Sequence, residues 1–273
     1  MTGASSQRPY RIAVTSGKGG VGKTNISVNL ALALQRQGKK VALFDADLAL
    51  ANAHIVMGTQ PKKTVVDALG DQSNLADIAT EGPLGVKLIA GGNGLAELMD
   101  MSHEVRHQIV SSFDELESVA DYLIIDTPAG IESNVVDFVS PAQRKLIVVV
   151  GEPAAFIDAY ACIKVLHQSA GVNHFDIVVN RVRDDAHGVD VFRRFQAIAA
   201  KFLSCNLYHV ASIPEDAQML KSIGACSPVV LSAPQSRSAK AIESLAQRIT
   251  GPHATPVDEG AAEMFVGIKK EGV

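Results

Sequence analysis

The chain has 273 residues, of which 47% are hydrophobic and 20% charged, with a formal net charge of −4. These proportions exclude a disordered or fibrous protein, and the acidic total argues against nonspecific nucleic-acid binding by the whole surface. The length allows one large α/β domain with a substantial core.

The three cysteines give no sign of a metal site or a disulfide framework. Cys162, Cys205 and Cys226 are far apart, with no CxxC pair and no histidine nearby at metal-ligand spacing. The start, MTGASSQRPY, lacks the apolar core of a signal peptide. No segment approaches the roughly 20 apolar residues that span a bilayer. We therefore expect a cytoplasmic protein.

Seven short runs rich in Val, Ile and Leu are separated by stretches compatible with helices. The runs show little polar alternation, which is typical of strands covered on both faces by helices. Residues 25–37 have helical periodicity and would supply a right-handed crossover. The sequence therefore predicts an α/β fold, with a mostly parallel central sheet and helices on both faces. The runs centre near Ile12, Leu43, Leu88, Ile124, Val148, Val178 and Val210.

A glycine-rich segment, GKGGVGKT, follows the first predicted strand. It fits GxxxxGK[ST] between a strand and a helix, which is the context that this phosphate-binding motif requires. Glycines let backbone N–H groups face phosphate oxygens, and the next helix adds its positive amino end. Lys23 would reach the β and γ phosphates, and the Thr24 hydroxyl would bind Mg²⁺. The predicted cradle comprises Gly17, Gly19, Gly20, Val21, Gly22, Lys23, Thr24 and Asn25.

Acidic residues follow two other predicted strands. Asp45 and Asp47, in LFDAD, start on the same face of the chain because strand side chains alternate with a period of two. Asp126, in LIIDTPAG, has the position of a Walker B carboxylate, which holds Mg²⁺ through water. Asp45 and Asp47 could instead cap the helix that follows, and this alternative stays open.

The stretch KGGVGKT, residues 18–24, resembles the deviant Walker A family of MinD, ParA and the nitrogenase iron protein, whose pattern is KGGxGK[ST]. The resemblance covers residues 10–250 and implies a P-loop NTPase of the SIMIBI, MinD-like type that binds ATP or ADP with Mg²⁺. In that family the earlier lysine contacts the partner's ATP across a homodimer, which here implies Lys18. An ammonium from the partner would neutralise charge in the transition state. A solvated Lys18 without a role is the alternative.

The resemblance also implies roles for the carboxylates. Asp47 would hold the attacking water, so that Lys18, Lys23 and Asp47 form the catalytic set. Asp45 would stand in the outer shell of the magnesium, which Thr24 would bind directly and Asp126 would hold through water. Phosphoryl transfer demands orientation more than proton abstraction, so neither Asp45 nor Asp47 needs a strongly raised pKa. Residues 127–130 resemble the second switch loop.

The ends of the last two predicted strands would surround the adenine in such a family. An Asn180 amide offers a donor and an acceptor, which suits N6 and N7 of adenine, although a plain turn is the alternative. The chain has no NKxD-like guanine reader, which favours ATP over GTP. The implied base pocket comprises Asn180, Arg181, Pro214, Glu215 and Asp216.

Glycine and proline are frequent in TGPHATPVDEGA, residues 250–261, which predicts a linker. We place the ATPase domain at residues 1–250 and a linker with a short tail at residues 251–273. In the tail one helical stripe could lie in a membrane interface, as in MinD relatives, and dimerisation would pair two weak anchors. A tail that docks on its own domain, or stays unstructured, is the alternative. The stripe comprises Ala261, Met264, Phe265 and Ile268, beside Lys269 and Lys270.

Residues 45–69 look most like the FlhG (FleN) ATPases that control flagellar number and placement. That resemblance implies three possible partners: an FlhF-type GTPase, proteins of the flagellar switch ring, or a flagellar transcription regulator. The stripe of the tail, as in MinD relatives, would give a peripheral location at the inner face of the cell membrane. A MinD-like division-site protein, a ParA-like DNA or cargo positioner, and a synthetase for a small acid stay open. Iron–sulfur relatives are excluded because residues 17–161 contain no cysteine.

Overall fold

The computed structural model describes residues 8–48, 51–71, 73–92, 102–251 and 255–256. Within them, the strands are β1 (Tyr10–Thr15), β2 (Val41–Asp45), β3 (Thr80–Glu81), β4 (Lys87–Ile89), β5 (Tyr122–Asp126), β6 (Arg144–Val150), β7 (His174–Val182) and β8 (Asn206–Pro214). The helices are α1 (Lys23–Arg36), α2 (Ala53–Met57), α3 (Val65–Asp71), α4 (Leu75–Ile78), α5 (His103–Ser112), α6 (Ser133–Val139), α7 (Pro153–Ala170), α8 (Asp185–Ala199), α9 (Ala217–Gly224), α10 (Val229–Ser232) and α11 (Arg237–Thr250).

The strands form one sheet in the order β3-β4-β2-β5-β1-β6-β7-β8. Every neighbouring pair is parallel except β3 and β4, which are antiparallel. All seven predicted strands are present, and the predicted mostly parallel sheet is confirmed. The sequence did not predict β3, because two residues are too few to show a pattern. The helix predicted over residues 25–37 is α1, which begins slightly earlier, at Lys23.

Helices cover both faces of the sheet, and each face has its own apolar core. In β5, Leu123 and Ile125 belong to the core beneath α3 to α8, and Ile124 belongs to the core beneath α1, α10 and α11. All three side chains are fully buried. A strand that is buried on both faces has no need for polar alternation, which explains the continuous apolar runs in the sequence.

The parallel register brings the polar strand ends to one edge of the sheet. Asp45 at the end of β2 pairs directly with Asp126 at the end of β5. Val14, near the end of β1, pairs with Asp126 on the other side of β5. Asn180 in β7 pairs with Val150 of β6 and with Ile213 of β8. The carboxyl ends of parallel strands form the ligand crevice of such sheets.

The chain beyond α11 contacts the opposite edge of the sheet, where strands β6 and β7 begin. Arg144 Nη1, at the start of β6, lies 2.6 Å from Asp176 Oδ2 of β7, and both side chains are buried. The Thr255 hydroxyl donates to Asp176 Oδ1 at 2.6 Å, and Arg144 Nη2 donates to the Thr255 carbonyl at 3.1 Å. A buried ion pair therefore holds the segment that leads to the tail.

The predicted apolar stripe of the tail lies outside the described residues. The last described helix, α11, ends at Thr250, and the division into residues 1–250 and 251–273 stays a prediction. No helix of the described part of the chain has the length and hydropathy needed to cross a membrane.

Candidate nucleotide site

The loop between β1 and α1 requires glycine for two different physical reasons. Gly20 and Gly22 have φ angles of 75° and 99°, in the left-handed region that L side chains rarely adopt. Gly17 lies against α7, where a Cβ atom would stand 2.0 Å from the carbonyl carbon and oxygen of Asp158. The loop thus packs onto α7 at one end and turns into α1 at the other.

Two side chains from β7 brace this loop by donating hydrogen bonds to its backbone carbonyls. Asn180 Nδ2 donates to the Val21 carbonyl at 2.7 Å, and Arg181 Nη2 donates to the Gly20 carbonyl at 2.8 Å. A Cβ atom at Gly22 would lie 2.5 Å from Asn180 Nδ2, so the brace also fits closely. The sequence brought both residues to the nucleotide edge but gave no signal of this bracing contact.

The two lysines of the loop have contrasting surroundings. Lys23, at the start of α1, is buried, and this burial lowers the pKa of its ammonium, although Asp126 and Asp47 oppose the shift. The Lys18 side chain is 42% exposed, and its Nζ lies 3.0 Å from Glu152 Oε2. Lys23 therefore belongs to the interior of the cradle and Lys18 to the protein surface. Sequence reasoning did not find Glu152, which lies beyond the end of β6.

Asp126 is buried beneath the first turn of α1. Its Oδ1 accepts a 2.8 Å hydrogen bond from the Ser27 hydroxyl, and Thr24 also contributes a hydrogen bond. Burial raises the pKa of Asp126 to about 6, although the hydroxyls and Lys23 oppose the shift. Sequence reasoning missed Ser27, but its place three residues after Thr24 on the same helix face was a usable signal.

Asp45 is equally buried, and it organises the chain that follows β2. Its carboxylate accepts backbone N–H groups from Asp47 at 3.2 Å, Asn52 at 2.9 Å and Ala53 at 2.8 Å. Burial raises the pKa of Asp45 to about 7, and the negative charge of the neighbouring Asp126 adds to this shift. The contacts with Asn52 and Ala53 place the Asp45 carboxylate at the start of α2. Asp47 is only partly buried and lies close enough to Lys23 to affect its pKa.

The residues after β8 hold helices together beside the predicted base pocket. Pro214 ends β8, and the Glu215 N–H donates to the Val182 carbonyl at 2.8 Å. Asp216 caps α9 by accepting from the Gln218 N–H at 2.8 Å. It also accepts from the N–H and the hydroxyl of Ser238, both at 3.0 Å.

The oxygens beside the loop suit a magnesium ion. Mg²⁺ prefers carboxylate and hydroxyl oxygens, and Thr24, Asp126 and Asp45 supply these groups at one edge of the sheet. Burial disfavours the charged form of both carboxylates, so a nearby cation would stabilise them. The donor set therefore fits the ion.

A strand, a braced glycine loop and a helix that starts with a buried lysine define a P-loop NTPase. The chain belongs to the ParA family of these proteins, because the family described as "ParA: NUBPL iron-transfer P-loop NTPase" matches residues 8–250. It is a nucleotide-binding ATPase of the ParA and MinD type, as the sequence predicted.

Two relatives carry flagellar names. The chain is 36% identical over 255 residues to the antiactivator FleN of Pseudomonas aeruginosa, covering 93% of this chain and 91% of that protein. It is 36% identical over 211 residues to the flagellum site-determining protein YlxH of Helicobacter pylori, covering 77% of this chain and 71% of that protein. The predicted similarity to FleN is confirmed.

Two solved structures share the fold. The MinC:MinD cell division complex of Aquifex aeolicus matches with a TM-score of 0.71 and 27% identity, over 88% of this chain and 95% of that one. The septum site-determining protein MinD of Pyrococcus horikoshii, complexed with Mg-ADP, matches with a TM-score of 0.72 and 25% identity. The match covers 89% of this chain and 96% of that one. The predicted α/β architecture is confirmed.

Proposed function

We propose that this chain is an ATP-dependent dimerising switch that regulates the number or placement of flagella. The similarity to FleN and YlxH supports the flagellar role. The observation that carries the switch is the surface position of Lys18, which pairs with the exposed Glu152 beside the loop. A second copy of the chain could exchange this contact for one with its own ATP.

Exposed apolar side chains flank the same loop. Ile157 is 69% exposed and adjoins Asp158, which packs against Gly17. Ile131 is 49% exposed and follows Gly130, whose N–H donates to the Ser16 carbonyl at 3.0 Å. Exposed apolar residues that lie beside charged residues favour burial against another protein. We define Lys18, Ile131, Glu152 and Ile157 as the proposed dimer face.

The proposed chemistry is phosphoryl transfer to water. Backbone N–H groups of residues 17–24 and the Lys23 ammonium hold the phosphates, and Asp47 orients the attacking water. Lys18 of the second copy neutralises charge that develops on the γ-phosphate. Thr24 and Asp126, with Asp45 in the outer shell, would hold Mg²⁺, which neutralises phosphate charge when it is bound.

The adenine is proposed to lie against the loops after β7 and β8. Backbone groups would carry much of its recognition, because Asn180 Nδ2 already donates to Val21 and the Asp216 carboxylate already caps α9. Asn180, Arg181, Pro214, Glu215 and Asp216 remain the proposed lining.

Dimer formation would control the association of the protein with the membrane and with its protein partners. We propose a cytoplasmic protein that associates peripherally with the inner face of the cell membrane through residues 261–273. The word antiactivator in the name of FleN favours a flagellar transcription regulator as partner, ahead of an FlhF-type GTPase or switch-ring proteins. Iron transfer is not proposed, since the free Cys162 is buried and lies far along the chain from Cys205 and Cys226.

The decisive experiment is light scattering after size exclusion, with ADP and with a nonhydrolysable ATP analogue. The wild type should be monomeric with ADP and dimeric with the analogue. Lys18→Ala should bind the analogue, stay monomeric and lose roughly 10²–10³-fold in ATP turnover, because a charge contact with the transition state is removed. Lys201→Ala, an exposed lysine after α8, serves as the matched control.

Wild-type turnover in Lys18→Ala, or normal ATP hydrolysis by a wild-type monomer, would contradict the switch. A MinD-like or ParA-like positioning role is the second candidate, favoured by the fold match to MinD. Co-sedimentation with anionic liposomes and with DNA separates these roles. ATP-dependent, salt-sensitive retention on DNA alone would favour the ParA-like role.

A further inference from the structure

A pair of histidines on α5 lies outside every residue set used above. His103 and His107 are four residues apart, so they project from the same face of the helix. Their rings meet edge to face with centroids 4.2 Å apart, and their Nε2 atoms are 3.2 Å apart. Two imidazole nitrogens thus converge on one point at the protein surface.

The separation of these nitrogens matches two ligands of one metal ion. Zinc–nitrogen bonds measure about 2.0–2.1 Å, so two ligands at a tetrahedral angle stand roughly 3.3–3.4 Å apart. The observed 3.2 Å is close to this separation. Without a metal, the same contact is a hydrogen bond in which one ring nitrogen donates and the other accepts.

A carboxylate on the next helix orients the first histidine. Asp137 Oδ2, on α6, lies 3.1 Å from His103 Nδ1 and also accepts a 2.6 Å hydrogen bond from Arg106 Nε. When His103 Nδ1–H donates to this oxygen, the lone pair is on Nε2, the atom that faces His107. A carboxylate behind a ligating histidine is the usual outer shell of protein zinc sites.

The histidines also line an open cleft between α3 and α5. The cleft has a volume of about 1180 Å³, and Leu69, Ser73 and Glu115 line it as well. The His103 side chain is 60% exposed, so a hydrated ion can reach it. Water can then complete the coordination shell, as a site with two protein ligands requires.

We propose that His103 and His107 bind one divalent transition-metal ion such as Zn²⁺ through their Nε2 atoms, with Asp137 as the positioning residue. Imidazole donors suit Zn²⁺, Co²⁺ and Ni²⁺, whereas the proposed Mg²⁺ site offers only oxygens. The bound ion would connect α5, through His103 and Asp137, to α6. Because α6 begins at Ser133, shortly after the loop of residues 127–130 that resembles the second switch, the ion would restrain the segment that leaves the proposed nucleotide site.

Isothermal titration of the untagged chain with Zn²⁺ and with Co²⁺, in nucleotide-free buffer that contains excess Mg²⁺, tests the proposal. The wild type should bind one ion per chain at a site that His103→Gln and His107→Gln both lose. Asp137→Asn keeps both ligands and should weaken binding roughly 10–100-fold. His174→Ala, a histidine on β7 outside the cluster, should bind like the wild type.

Three results would overturn the site. They are no ion bound by the wild type, unchanged affinity in both glutamine variants, and Co²⁺ spectra with the thiolate charge-transfer bands of cysteine ligands. Unchanged affinity in Asp137→Asn would overturn the positioning role alone. Circular dichroism and nucleotide binding of each variant show whether it is folded. These readouts do not depend on dimerisation, so failure of the switch proposal would not affect them.

Discussion

Close approach between backbones dictates the identity of individual residues in the phosphate loop. Gly17 has no space for a side chain because the Asp158 carbonyl of α7 occupies the position of its Cβ atom. Gly19, two residues later, would place a Cβ atom with nothing within 4 Å. Packing against α7 therefore requires glycine at position 17. At position 19, no described neighbour would clash with a side chain.

This contrast predicts different stabilities for two alanine variants. Gly17→Ala should lower the free energy of unfolding by about 1–3 kcal/mol, because α7 or the loop must move. Gly19→Ala should fall within about 0.5 kcal/mol of the wild type. Denaturant unfolding without nucleotide measures both values, and equal stability of the two variants would refute the packing argument.

The buried carboxylate of Asp126 depends on the hydroxyl groups of α1. Ser27 donates directly to Asp126 Oδ1, and this contact supports the ionised form despite the burial that raises the pKa of Asp126. A carboxylate held in this way is already oriented before it interacts with an ion. Outer-shell hydrogen bonds of this kind affect metal affinity strongly.

Ser27→Ala should therefore increase the Mg²⁺ concentration for half-maximal ATPase activity by roughly 10–100-fold. Ser27→Thr keeps the hydroxyl and should stay close to the wild type. The measurement is ATP turnover across a magnesium titration. A normal magnesium requirement in the alanine variant would remove Ser27 from the ion's outer shell.

At the scale of elements, single side chains join the ends of helices and strands. Asp216 caps α9 through Gln218 and also binds the first turn of α11 through Ser238. Burial opposes its ionisation, but the N–H donors of Ser238 and Gln218 outweigh it and lower the pKa of Asp216. The carboxylate therefore stabilises the arrangement of two helices near the proposed base pocket.

Asp216→Ala should lower the free energy of unfolding by about 1–2 kcal/mol at neutral pH, the typical effect of losing a helix cap. Because the folded-state pKa is lowered, this contribution exists above the unfolded pKa of about 3.9 and is lost as pH falls through the folded value. Unfolding curves at pH 7 and at decreasing acidic pH measure it. A stability difference that grows on acidification would contradict the sign.

At the scale of the whole molecule, the nucleotide edge has an exposed, partly apolar rim, whereas the rest of the sheet is covered by helices. The proposed dimer face combines the charged pair of Lys18 and Glu152 with Ile131 and Ile157. The opposite part of the sheet carries the buried Arg144 and Asp176 pair that holds Thr255. The proposed nucleotide site and the linker that contains Thr255 are thus separated by the length of the strands.

Asp47→Ala should preserve ATP binding while it blocks hydrolysis, because Asp47 is proposed to orient the attacking water. With ATP itself, the variant should stay dimeric for as long as the nucleotide lasts, whereas the wild type returns to monomer. Light scattering over time distinguishes the two. A variant that is monomeric with ATP, like the protein with ADP, would contradict the role of Asp47.

Local pattern determined the fold class and the phosphate loop. The runs around β5 and β6 are apolar because both sheet faces are covered. Residues 17–24 are proposed to bind phosphate through backbone groups, so this feature too is readable from one stretch of chain. The parallel topology then brings the strand ends that carry Asp45 and Asp126 to one edge of the sheet.

Tertiary structure decided the contacts between distant segments. The brace from Asn180 to Val21, the pairing of Lys18 with Glu152 and the packing of Gly17 on Asp158 join residues more than a hundred positions apart. No local periodicity encodes such contacts, since they arise only when β6, β7 and α7 assemble around β1. The convergence of His103, His107 and Asp137 has the same origin, because α6 supplies its carboxylate only after both helices pack on the sheet.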